Sequence, residues 1–267
     1  MKGTNVYRDL LKEAQTSKMT INRNTLIKVK KAYERAAKEL VNKAYNGEVN
    51  KTWGNAYLRY VEKKLDQLGK QIEEMIREGI TETSSIASNV NNDFIKKLSI
   101  QQDLFESLYG TNYRVIDKIV SGGLYKDNKS LSQRIWGYNE KALSNIQDIL
   151  TDGIVNKRPL QEMCSQLEGY TGGGRSKVKS INNAYGSMNS NALRLVRTSL
   201  NHAFSETMKD ECKNNPFVEG YKWELSGMHF ERQVSRFGED ICDDYANHDE
   251  GLGQGVFNKR NLPVPHP

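Results

Sequence analysis

Residues 226–267 hold the side chains best suited to chemistry. His229, Cys242 and His266 are soft-metal ligand types set in a glycine-rich, poorly helical stretch. Zinc staples small folds through such side chains, four to a site. Three are in place here, and Asp240, Asp243 or His248 would have to supply the fourth, because Tyr245 stands where a C-x-x-C would put its second cysteine. The same carboxylates, with Asp244, are hard ligands. Joined to His229 or His266 as general base, they outline a metal-dependent nuclease. The competing reading makes these residues hydrogen-bonded fasteners of a small fold.

Two basic groups invite a different chemistry. Gly172-Gly173-Gly174 is followed by Arg175, Lys177 and Lys179. Backbone amides beside three glycines, with cations close behind, can cradle phosphate, although the G-K-[ST] ending of a P-loop is missing. An exposed loop explains the same composition. Lys28, Lys30, Lys31 and Arg35 lie on a helix near the start. They suit contact with DNA or with an acidic protein surface, or else form a solvated face. The net charge is +6, and residues 1–50, with eleven Lys/Arg against five Asp/Glu, carry an excess of that size. Residues 226–267 are acidic, at −3 from four cations and seven carboxylates.

Several classes drop out. Three cysteines with no C-x-x-C do not make a disulfide framework, and Cys164 and Cys212 fall on helical stripes as small buried apolar residues. No dinucleotide fingerprint is present. No run approaches the roughly 18 apolar residues of a membrane span. Residues 1–25 do not read as a secretory signal, which places the chain inside a cell or in a particle built there.

The elements that must position these groups are mostly helical. Residues 1–22 suit a short helix or a loose arm. Apolar residues at three- and four-residue steps predict helices over 24–45, 53–79 (ending near Gly79), 82–109, 112–121, 130–153, 159–168 and 190–212. Weak helix formers at Ser84–Asn92 allow a break there. Tyr221, Trp223 and Leu225 alternate within one strand, 218–225. The fold class is therefore mainly α. An elongated antiparallel helical body (1–125) leads to a helical connector with the Gly-rich basic loop (126–190). A long helix plus a small α+β module (191–267) follows.

In order, the blocks W-x-L-S-x-x-H, D-I-C-D-x-Y-A, G-L-G-x-G-V-F and P-x-P-H-P carry a resemblance. Their residues are Trp223, Leu225, Ser226 and His229; Asp240, Ile241, Cys242, Asp243, Tyr245 and Ala246; Gly251, Leu252, Gly253, Gly255, Val256 and Phe257; and Pro263, Pro265, His266 and Pro267. This series resembles the terminal module of the phage Mu F-like minor head (head-morphogenesis) protein family. Arg197-Thr198 occupies that family's Arg-Thr position, with Ser199 where an acid often follows. The resemblance covers roughly residues 130–267. It implies a minor head protein of a phage or prophage, assembled in the bacterial cytoplasm and carried in the virion. Portal and capsid components are the implied partners, with packaged double-stranded DNA as a further contact, and no enzymatic activity is implied. Members usually continue past His-Pro with further cysteines, which the sequence as given, to Pro267, does not include.

Overall fold

A computed structural model describes residues 2–47, 51–98, 112–171, 188–213 and 215–263. The order is α1 (Lys2–Tyr45), α2 (Lys51–Lys97), α3 (Tyr113–Ser121), α4 (Leu131–Val155), α5 (Leu160–Thr171), α6 (Ser190–Lys213) and β1 (Gly220–Lys222). A π-helical turn (Phe230–Val234), α7 (Ser235–Phe237), α8 (Ile241–Asn247) and β2 (Val256–Asn258) complete it. The chain is mainly α with a small α+β module near its C-terminal end, as the sequence predicts.

Two compact units emerge, and each is assembled from separated stretches. One comprises Lys18–Glu82 and Ile116–Leu200; the other comprises Met1–Ser17, Thr83–Val115 and Asn201–Pro267. They cut across the consecutive segments 1–125, 126–190 and 191–267.

In the first unit α1 and α2 form an antiparallel hairpin. Leu40 O accepts from the Tyr57 hydroxyl at 2.9 Å, Glu39 pairs with Lys64, and Lys28 pairs with Glu78, so rising numbers meet falling ones. Helix α4 lies antiparallel on α2: Asn139 Nδ2 donates to Leu65 O at 2.8 Å, and Gly69 leaves the room for it. Met163 of α5 fills the space left by Gly153 of α4. Val29, Leu40, Ile72, Ile76, Ile146, Met163, Leu167 and Leu200 are fully buried between these helices. Ser130 begins α4 with a capping box, its hydroxyl accepting from Gln133 N while Gln133 Oε1 accepts from Ser130 N.

The helix ends at Gly79 and near residue 22 require correction. Helix α2 runs straight through Gly79, where an added Cβ would stand 3.0 Å from Thr25 Oγ1 and 3.3 Å from the Leu200 methyls. That glycine permits close helix approach rather than ending a helix. Helix α1 is likewise unbroken from Lys2, so residues 1–22 are no loose arm. The separate helix expected over 82–109 is the second half of α2 as far as Lys97; residues 99–111 lie outside the described residues.

The second unit explains the weak helix formers of α2. Ser84 Oγ meets Thr207 Oγ1 at 2.9 Å, Ser88 Oγ donates to Glu211 Oε1 at 3.0 Å, and Asn91 Oδ1 accepts from Asn215 Nδ2 at 3.0 Å. The near-constant offset makes α2 and α6 parallel, joined by a buried polar seam that needs short side chains. Leu10, Ala14, Ala87, Val90, Phe94, Phe204, Met208 and Cys212 form the apolar core beside it. Leu10 and Ala14 show what keeps the start of α1 helical: its apolar face is buried there.

Candidate functional site

The terminal module is built on a two-stranded antiparallel ribbon, with Gly220 opposite Asn258, Tyr221 opposite Phe257 and Lys222 opposite Val256. The strand expected over 218–225 is shorter, because only three residues find a partner. Trp223 N still donates to Gly255 O at 2.7 Å, one step past the ladder. The partner strand was not legible in the sequence, since three glycines precede it.

Phe257 carries the module's buried apolar side chain among the described residues. Tyr245 meets its ring edge-on at 5.8 Å, His248 stacks on it at 4.5 Å, and Trp223 meets Tyr245 edge-on at 5.1 Å. Gly255 makes this convergence possible. Its φ of +72° is a left-handed conformation. An added Cβ would press to 3.0 Å from Ala246 O and 3.1 Å from Trp223 O. Gly251 and Gly253 turn over the Asp249 carboxylate, whose Oδ1 accepts from their N–H groups at 2.7 and 3.1 Å. Glu250 Oε2 accepts from Asn258 Nδ2 and Asn261 Nδ2 at 2.6 and 3.0 Å. Such a small fold needs more than its own apolar burial. It is tied to α6 by Tyr221 OH donating to Met208 O (2.7 Å) and by Lys209 Nζ donating to Leu262 O (2.6 Å).

Among the described residues, His229, Asp240 and Asp243 are the one trio of metal-ligand type whose ligand atoms lie within 4.8 Å of one another. His229 Nε2 sits 3.0 Å from both Asp243 oxygens. Asp240 is the N-cap of α8: its Oδ1 accepts from Cys242 N at 2.8 Å, and Asp243 Oδ2 accepts from Asp240 N at 2.8 Å. That last N–H, then the histidine, hold the Asp243 carboxyl below the usual aspartate range. The Cys242 thiol is pushed up, by burial first and then by the Asp240 carboxylate beside it.

Of the three soft-metal candidates, the structure brings His229 alone into this trio among the described residues. Cys242 stands outside that trio, while His266 lies outside the described residues. Both carboxylates are engaged in a reciprocal helix cap. The histidine clamps that cap to residues 226–239, so the geometry is a fastening.

The remaining candidates are elsewhere. Arg197 is exposed on α6, in the other unit. Lys28 and Lys30 are exposed and pair loosely with Glu78 and Glu34, each at 3.8 Å, and Lys31 and Arg35 are exposed on α1. Arg175, Lys177 and Lys179 lie outside the described residues. No helix among the described residues is long and apolar enough to cross a membrane. Sequence reasoning missed Glu211, whose signal was the run of small polar residues on α2 facing it. It also missed the exposed rings of Phe230 and Phe237.

Comparisons with protein-family models, with curated proteins and with solved structures find no match.

Proposed function

We propose that this chain is a minor head protein of a tailed phage or prophage, bound to portal or capsid components and acting in head assembly. One observation carries the reading. Trp223, the Asp240–Ala246 block and the Gly251–Phe257 block, separate in sequence, meet in a single small module. Residues matched to the head-morphogenesis blocks thus have interlocking roles: ring against ring, glycine beneath two carbonyls, carboxylates capping a helix. That is what a set of small-fold fasteners requires, and it favours a structural role over catalysis. In this reading the polar groups are spent on holding the module. Co-purification is the test. The tagged chain, expressed with its own head genes, is expected in procapsids and with portal protein, and its absence from both would refute the assignment.

A further inference from the structure

The terminal module exposes several large apolar side chains. Leu225, Met228, Phe230, Phe237, Ile241 and Leu252 are all exposed, with Phe230 at 68% and Phe237 at 78%. The two phenylalanines bound the turn formed by the π-helical segment and α7, in which no residue is buried. Scattered apolar side chains are ordinary, but two phenylalanines more than two-thirds exposed on one eight-residue turn mark an interaction surface.

Charge decides what covers it. Residues 224–252 carry eight carboxylates against Arg232 and Arg236, a net charge of −6. Two such surfaces would repel, which argues against contact between like modules and calls for a basic partner. The chain supplies one. Residues 18–45 of α1 hold eight Lys/Arg against Glu34 and Glu39, a net charge of +6. Residues 51–82 of α2 hold six of each sign, so this hairpin is not neutralised by its own second helix. Arg23, Lys31, Arg35 and Lys38 are exposed at helical spacing around Ile27, itself an exposed apolar side chain. A basic face with an apolar centre is thus the complement of an acidic module with apolar anchors.

We infer that copies of this chain associate head to tail, the apolar turn around Phe230 and Phe237 of one copy seating on the basic face of α1 of the next. Opposite fields steer the approach and exclude like-to-like contact, while the two rings supply the anchoring burial. Such an interface is heterologous, so repetition closes into rings or extends as filaments.

Nuclease-treated protein measured by light scattering after size exclusion tests this. At 50 mM salt and high protein concentration the mass should rise above the 30.4 kDa of one chain and fall back at 500 mM, where the Debye length shrinks to several ångströms. Phe230→Ser/Phe237→Ser and Lys31→Glu/Arg35→Glu/Lys38→Glu should each remain at the single-chain mass, with unchanged circular dichroism. All five side chains are exposed, so the fold should tolerate the changes. Mixing the two variants in equal amounts is decisive. Each retains the half the other lacks, so a species of twice the single-chain mass should form. A single-chain mass for the wild type under all conditions overturns the inference. So does self-association of the basic-face variant, which would mean contact between like modules. Association that appears only when nucleic acid is added back would assign the basic face to nucleic acid and equally overturn it.

Discussion

Glu211 is where the polar seam of the second unit is most costly, and its removal can be worked through. The side chain is 5% exposed. One oxygen accepts from Ser88 Oγ, and the other, Oε2, is buried with no hydrogen-bond partner among the described residues. Burial is the main reason its carboxyl is pushed up from an ordinary value near 4.5 to about 7; the neighbouring Asp210 adds to this, and the Ser88 hydroxyl and Asn112 amide oppose it. The folded state therefore holds the proton more tightly than the unfolded chain. The stability this provides is complete below pH 4.5 and is lost as pH rises through about 7. At about 1.4 kcal/mol per pH unit, the loss is about 3 kcal/mol. Glu211→Gln keeps the shape of the protonated acid and cannot ionise. Urea denaturation followed by circular dichroism should show the variant more stable than wild type by about 3 kcal/mol at pH 8, with the gap narrowing by about 2 kcal/mol at pH 5. Taking the difference between the two proteins cancels other titrating groups. A gap that does not change between pH 5 and pH 8 would refute the argument, because the raised titration of this one carboxyl, from burial with Asp210 beside it, is the source of the change.

Three further changes probe the module and the body. Gly255→Val should destabilise by about 1–3 kcal/mol, since it combines a positive φ with a Cβ against two carbonyls; the near-ultraviolet signal of Trp223 against Tyr245 should fall at lower denaturant. Ser130→Ala removes one arm of the α4 capping box and should cost about 1 kcal/mol in the same denaturation assay, whereas Ser130→Asp should restore most of it. If the His229 cluster is a fastening, adding zinc or a chelator should leave the melting temperature unchanged, and alkylation of half-buried Cys242 at pH 8 should be slower than that of a free thiol because its pKa is raised.

The helices were legible because their apolar stripes are long: Tyr57, Val61, Leu65, Leu68, Ile72 and Ile76 repeat at steps that only a helix places on one face, and all six are buried. Their ends were not. Gly79 carries the local signal of a terminator, and only the approach of Thr25 and Leu200, remote in sequence, shows why a helix interior needs it. The Ser84–Asn92 stretch misled in the same way, since low intrinsic propensity is outweighed once Thr207, Glu211 and Asn215 supply partners across the seam. Periodicity reports one helix against solvent. It does not report which polar residues face another helix.

The module near the chain's end shows the complementary limit. Its residue types suggested metal chemistry, because His, Cys and Asp are the same side chains whether they hold an ion or one another. Connectivity separates the two cases. A capping box at Asp240 and Asp243 gives each carboxylate a backbone N–H, and His229 then spans both oxygens of the second. With His229, Asp240 and Asp243 bonded to one another and Phe230 and Phe237 exposed, the module is arranged as an attachment, with its internal polar bonds keeping those rings presented. Loosening the cap, as in Asp243→Asn, should therefore weaken association through the rings without touching either of them.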